Sequence, residues 1–127
     1  MASSSQARSN AVLRVAAVLL CVLLMVNSFA AAAVVNVGGR GGWTIQRYGR
    51  MNLKRGDALV FNYNRNLHNV MQVTKGVFTS CRVTSKPIST FVSGKDLVKF
   101  NSPGTYYFIC GFPGHCAAGM KVSVTVR

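Results

Sequence analysis

Acidic residues are nearly absent from this 127-residue chain, which carries Asp57 and Asp96 as its two acids against fifteen lysine and arginine residues. The formal net charge of +13 favours binding to polyanions. The lack of carboxylates argues against a hydrolase with Cys110 as nucleophile and a histidine as base, because the sequence offers no obvious acid to orient that histidine. We therefore expect that the protein is not an enzyme.

Several sequence signals of other protein classes are also missing. The chain has no Asn-x-Ser/Thr sequon, so we expect no N-glycosylation. The final segment, GMKVSVTVR, has no apolar tail, so we expect no glycolipid anchor. We find no motif of a nucleic-acid-binding protein, and no internal repeat or domain linker.

The first 33 residues have the layout of a secretory signal peptide. A polar start with Arg8 and Arg14 precedes about twelve apolar residues at 15–26, and the small residues of NSFAAAA follow. The alternative, a membrane anchor, needs about 20 apolar residues, and this run is shorter. We expect a signal peptide over residues 1–32, with cleavage after Ala32 or Ala33. One secreted domain over residues 33–127 then remains, with a net charge of about +11 once the two arginines of the +13 total are lost.

The cysteine count leaves one thiol without an obvious partner. Cys21 lies in the apolar run and leaves with the signal, so Cys81, Cys110 and Cys116 remain. In an oxidising compartment two of the three should pair. The residues alone leave the pairing open, since Cys110 could pair with Cys116. The remaining cysteine could form an intermolecular bridge, act as a reactive thiol or bind a metal.

Short apolar segments separated by turn residues predict an all-β sandwich. The last segment alternates with period two, which places Met120, Val122, Val124 and Val126 on one face. Beyond the signal we expect no helix of useful length. The candidate strands cover residues 34–37, 58–63, 68–73, 77–80, 96–100, 105–110 and 120–126.

A cluster of potential metal ligands follows the strand at 105–110. Cys110, His115 and Met120 have the spacing C-x4-H-x4-M, and His68 is the second histidine of the chain. Two imidazoles, one thiolate and a weak axial thioether form the ligand set of a blue-copper site. Zinc is the competing metal, but it seldom binds a thioether. We also expect Asn69 to brace the loop of His68, although an ordinary polar strand residue is an equal alternative.

The segments that carry these residues resemble a known family. VGGRGGWT (37–44), FNYNRNLHNV (61–70) and YYFICGFPGHCAAGMKVSV (106–124) are similar to the plantacyanins of the plant phytocyanin family. The resemblance implies a Greek-key β-sandwich of the cupredoxin type with one type 1 copper ion. It also implies a Cys81–Cys116 disulfide and four copper ligands, which are His68, Cys110, His115 and Met120.

Two functions follow as hypotheses. The first is a secreted, monomeric electron-transfer protein that cycles between Cu(II) and Cu(I) with an unknown redox partner. The second is an extracellular signalling or wall-associated protein that acts through its basic surface, for example in pollen–pistil interaction, with an acidic cell-wall polysaccharide as partner. Binding to nucleic acid conflicts with the signal peptide.

Overall fold

The computed structural model describes residues 2–27 and 31–127. The chain divides between Ala31 and Ala32 into two compact units. This division lies one residue before the boundary predicted from the sequence. The cleavage that would separate the two units remains a prediction.

The first unit contains one long helix, α1 (Ala2–Asn27). Its stretch Ser5–Met25 has 21 residues, a mean hydropathy of 1.8 and no buried part. The helical stretch is longer than the apolar run of about twelve residues, and by length and composition it could cross a membrane. A signal sequence near an N-terminus has the same properties, so α1 resembles a signal peptide.

The second unit holds eight strands in two sheets. The three-stranded sheet has the order β1-β3-β6 and the five-stranded sheet the order β2-β8-β7-β4-β5. The predicted all-β sandwich is thereby confirmed. The strands are β1 (Val34–Asn36), β2 (Met51–Leu53), β3 (Ala58–Asn62), β4 (Val70–Val73), β5 (Ser89–Phe91), β6 (Lys95–Lys99), β7 (Gly104–Ile109) and β8 (Lys121–Val126).

An aromatic core fills the space between the sheets. The Trp43 ring meets Phe61 edge-on at 5.1 Å between centroids, and Phe61 lies 5.4 Å from Phe108. All three side chains are fully buried. The predicted inner face of the last strand is confirmed, because Met120 and the three valines that alternate after it are all buried.

The segment 77–80 differs from its prediction, because it lies in a short helix, α2 (Lys75–Ser80), and not in a strand. The Thr74 side chain caps this helix by accepting a hydrogen bond from the Val77 N–H. The Phe78 ring packs against Tyr107 at 5.1 Å and fixes α2 against β7. The prediction of a strand at 77–80 was therefore wrong, because a cap and one tertiary contact suffice for a helix of six residues.

Candidate metal centre

A tight turn after β3 positions His68 at the edge of the sandwich. The backbone N–H groups of Leu67 and His68 both donate to the Asn64 carbonyl at 3.0 Å. The Asn64 side chain accepts a further bond from the Asn66 N–H at 3.0 Å. Asparagine is suited to such a turn because its side chain satisfies nearby backbone donors. His68 is buried, with 7% of its surface exposed, just before β4 begins.

The loop between β7 and β8 brings the other three candidate ligands together. The Cys110 N–H donates to the Met120 carbonyl at 3.0 Å, which extends the β7–β8 ladder by one residue pair. The Met120 N–H donates to the His115 carbonyl at 3.0 Å. Gly114 and Gly119 have φ values of 79° and 105°, which glycine adopts without strain. The loop therefore closes on itself through its own backbone.

Three potential ligand atoms converge at this point. The Nδ1 atoms of His68 and His115 lie 3.1 Å apart, and the Cys110 Sγ lies 3.9 Å from the first and 3.5 Å from the second. One ligand atom from each of these residues lies within 4.8 Å of the others. Burial, and then the neighbouring His115, lowers the pKa of His68 below its usual value. The neutral imidazole is the form that binds metals.

Met120 is the fourth residue of the candidate set, and its backbone pairs with that of Cys110. Its side chain is fully buried, as is that of Cys110, and the two residues face each other across the β7–β8 ladder. The structure thus brings all four sequence-predicted residues to one end of the sandwich. His115 is the most exposed of them, since it is half-buried while the other three are buried.

Asn69 connects the two parts of the chain that carry these residues. Its Oδ1 accepts a hydrogen bond from the Gly111 N–H at 2.6 Å, and its carbonyl accepts one from Trp43 Nε1 at 2.9 Å. A Cβ atom at Gly111 would lie 2.5 Å from the methyl group of the flexible Met71 side chain and 3.2 Å from Asn69 Oδ1, so a larger residue would require Met71 to move. The sequence did not predict the contacts that Trp43 and Gly111 make with Asn69. A glycine directly after Cys110 was nevertheless a visible signal for a close backbone contact.

A disulfide links Cys81 to Cys116, with 5.7 Å between the Cα atoms, as the resemblance implied. It ties the end of α2 to the residue after His115. Cys110 remains a free, buried thiol. The odd cysteine of the sandwich unit is therefore the one that lies beside the two histidines.

The chemistry of this donor set fits copper. Two imidazoles, one thiol and one thioether are soft or borderline donors that suit both copper oxidation states. Within residues 2–27 and 31–127, no carboxylate joins the three-residue cluster, whereas a zinc site would favour a carboxylate or a second thiolate. Both acids are engaged elsewhere, Asp57 with Lys54 and Asp96 with Tyr63.

Comparison with known proteins agrees with the site and the fold. The model of the plastocyanin-like domain family matches residues 48–120. The basic blue protein of Cucumis sativus is 46% identical over 95 residues, which cover 72% of this chain and 97% of the relative. The chemocyanin of Lilium longiflorum is 45% identical over 109 residues, with 82% and 84% covered.

Solved structures show the same architecture. The cucumber basic protein, a blue copper protein, aligns with a TM-score of 0.64 at 40% identity and covers 74% of this chain and 99% of its own. Spinach plantacyanin aligns with a TM-score of 0.58 at 37% identity, with 68% and 94% covered. The predicted cupredoxin fold is confirmed by these neighbours, and with it a type 1 copper ion as the cofactor. The chain belongs to the plastocyanin-like family of blue copper proteins, among the electron-transfer proteins of its phytocyanin branch.

Proposed function

We propose that His68, Cys110, His115 and Met120 bind a single copper ion, and that the protein carries single electrons outside the cell. The observation that carries the proposal is the convergence of two imidazole nitrogens and a buried thiol within 4.8 Å. When bound, copper supplies a reversible change between Cu(II) and Cu(I). The proposal also includes secretion, which the signal-like helix α1 supports.

The residues around the site restrict how far the ligands can move. His68 is fixed by its turn and by the neighbouring Asn69, whose side chain bonds to the Gly111 N–H. His115 is fixed by two backbone hydrogen bonds and by the disulfide at the next residue. A site that moves little when its charge changes lowers the reorganisation that electron transfer requires. A redox partner would approach at His115, which is the most exposed of the four.

A carrier is favoured over an enzyme because the acids of the sandwich are already committed to structure. Asp57 accepts hydrogen bonds from the Ala33 and Lys54 backbones, and Asp96 accepts from Tyr63 and Ser93. Neither carboxylate joins the histidines. A cysteine nucleophile with a histidine base relies on a third group to orient the histidine, and neither carboxylate is placed to do so.

Redox titration of the copper-loaded protein tests this function. We expect reversible uptake of one electron per chain, with loss of a blue colour on reduction. Cys110→Ser should abolish the colour because the hydroxyl replaces the soft thiolate. The matched control is Cys81→Ala/Cys116→Ala, which removes the other two cysteine sulfur atoms of the sandwich unit and should stay blue where folded. A Cys110→Ser variant as blue as the wild type would disprove the ligand assignment.

A second candidate function, binding to an acidic polysaccharide, is favoured by the distribution of charge. Twelve of the thirteen lysine and arginine residues of the sandwich unit are exposed, and Lys121 is half-buried. Within the described part of the chain, the Arg47 guanidinium takes part in no ion pair or hydrogen bond. It lines a cleft of about 310 Å³. The cleft residues are Arg47, Tyr48, Phe78, Ala117, Gly119 and Lys121.

The second cation of this cleft is held in place. Lys121 Nζ donates to the Phe78 carbonyl at 2.8 Å and lies 4.8 Å from the centre of the Phe78 ring. An ammonium group has three donors, and a second one is directed to Cys81 Sγ at 3.9 Å, so one N–H group remains for an anion. Two cations beside aromatic rings match the carboxylate and the apolar face of a uronic acid sugar.

Binding to oligogalacturonate at several salt concentrations tests the second candidate. We expect affinity that falls as salt rises and that is equal for the metal-free and copper-loaded forms. Arg47→Gln should weaken binding more than Arg40→Gln, which removes the same charge outside the cleft. Binding that is insensitive to salt would exclude charge as its cause.

A further inference from the structure

Ala33 makes two backbone hydrogen bonds at the start of the sandwich. Its N–H donates to Asp57 Oδ1 at 2.8 Å, and its carbonyl accepts from the Ala58 N–H at 2.9 Å. Asp57 and Ala58 are buried, with 3% and 5% of their surfaces exposed. The first residues of β1 are thus attached to β3 through Ala33, next to the Val34–Ala58 pair of the parallel ladder.

The rule for signal cleavage leaves the position of the cut open. Small residues occupy positions 30–33, so a small-x-small pattern precedes both the bond after Ala32 and the bond after Ala33. The two cuts differ in their structural consequences. A cut after Ala33 would remove both hydrogen bonds and leave the Ala58 N–H and one contact of the Asp57 carboxylate without a partner. A cut after Ala32 would keep both.

We propose that the signal peptide is removed between Ala32 and Ala33, and that the new α-ammonium group of Ala33 forms an ion pair with the buried carboxylate of Asp57. The proposal rests on the secretion included in the proposed function. A signal peptidase hydrolyses the bond: water supplies a hydroxyl to the Ala32 carbonyl carbon and a proton to the Ala33 nitrogen. The amine then takes a second proton from solvent at neutral pH, since α-amino groups have pKa values near 8.

The environment of Asp57 is prepared for a cation. The Lys54 N–H donates to Oδ2 at 2.9 Å, and the Lys54 ammonium lies 3.1 Å from Oδ1. The backbone bonds from Lys54 and Ala33 lower the pKa of Asp57 to about 2, so the carboxylate is ionised throughout the physiological range. Before cleavage its partner at Ala33 is a neutral amide. After cleavage the partner is a charged ammonium, so attraction between opposite charges is added to a hydrogen bond that the ionised carboxylate already strengthens.

Cleavage therefore does more than remove the leader, because it strengthens the attachment of β1 to β3. The mass of the secreted protein tests the first half of the proposal. We expect a mature chain that begins at Ala33. A chain that begins at Val34 would overturn the proposal, and so would one that begins at Ala32. A protein that is not exported would instead contradict the secretion in the proposed function.

The ion pair itself is tested by comparing purified sandwich units that begin at Ala33 or at Ala32. The Ala33 nitrogen can donate a hydrogen bond in both units, but it is an ammonium group only in the unit that begins at Ala33. We expect the unfolding equilibrium constant of the Ala33 form to be about two- to fivefold smaller, as for an ion pair near the protein surface. The difference should disappear in Asp57→Asn and persist in the matched control Asp96→Asn. An equal difference in wild type and Asp57→Asn would refute the pairing.

A direct measurement covers the case in which Asp57→Asn fails to fold. The pKa of the Ala33 α-amine can be followed by NMR in the Ala33 form, where a carboxylate partner should raise it above the usual range of about 7.7–8.0. A value within that range would show that no ion pair forms.

Discussion

Replacing Asn69 with alanine removes the contact that joins the His68 segment to the loop after Cys110. The wild-type Oδ1 accepts the Gly111 N–H at 2.6 Å. Alanine has no acceptor, and the Gly111 N–H would then lie unpaired in a half-buried position. The Asn69 carbonyl and its bond from Trp43 remain, since they belong to the backbone.

The expected cost follows from the lost hydrogen bond. A buried donor left without a partner costs about 1–3 kcal/mol. Domains of this size lose roughly 1–3 kcal/mol of stability per molar urea, so the unfolding midpoint should fall by about 1 M. Residues that hold a metal ligand in position also affect metal affinity, and their loss typically lowers it by about 10–100-fold.

Urea unfolding of the metal-free protein measures the first effect, and copper competition with a chelator measures the second. The matched control is Asn101→Ala, which makes the same truncation at an exposed residue outside the site and should change neither quantity. If Asn69→Ala and Asn101→Ala behaved alike in both assays, the bracing role of Asn69 would be refuted. A loss of stability with unchanged copper affinity would show that Asn69 supports the fold but does not position His68.

Three further predictions concern the disulfide, the thioether ligand proposed at Met120 and the behaviour in acid. Cys81→Ala/Cys116→Ala removes the disulfide that joins residues 35 positions apart, and it should lower the free energy of unfolding by about 3–4 kcal/mol, as measured in urea. An unchanged urea midpoint would show that the chain between the two cysteines is already fixed without the disulfide. Met120→Gln should lower the reduction potential because a harder donor favours Cu(II), whereas Met51→Gln on β2 should leave it unchanged, as voltammetry would show. The pKa of Asp57 in the folded protein, about 2, lies below the ordinary value of 3.8, so the stability that Asp57 contributes is present above pH 4 and is lost as the pH falls towards 2. Asp57→Asn should therefore reduce the loss of stability between pH 4 and pH 2. An equal loss in the variant and the wild type would contradict the role of Asp57.

The parts of the fold that the sequence predicted are those with a strong local pattern. The alternation from Met120 to Val126 has period two, and every second side chain is buried. The candidate ligands were visible because cysteine, histidine and methionine occur together at a spacing that one loop can close. Their chemistry, together with the resemblance, predicted a copper site at these residues before any geometry was known.

The parts that the sequence did not predict depend on contacts between distant segments. Helix α2 was missed because valine, phenylalanine and threonine favour strands, while the Thr74 cap and the Phe78–Tyr107 contact stabilise the helix. The three-residue strands β2 and β5 are too short for a periodic signal. The hydrogen bond from Trp43 to Asn69 spans 26 residues, and no local pattern encodes it.

The visible absorption spectrum of the purified protein, measured together with its copper content, is the most direct test of copper binding by these four residues. We predict an intense blue band with one copper ion per chain, and loss of the band on reduction. Protein that stays colourless after exposure to copper salts would contradict it, and so would Cys110 recovered in a disulfide.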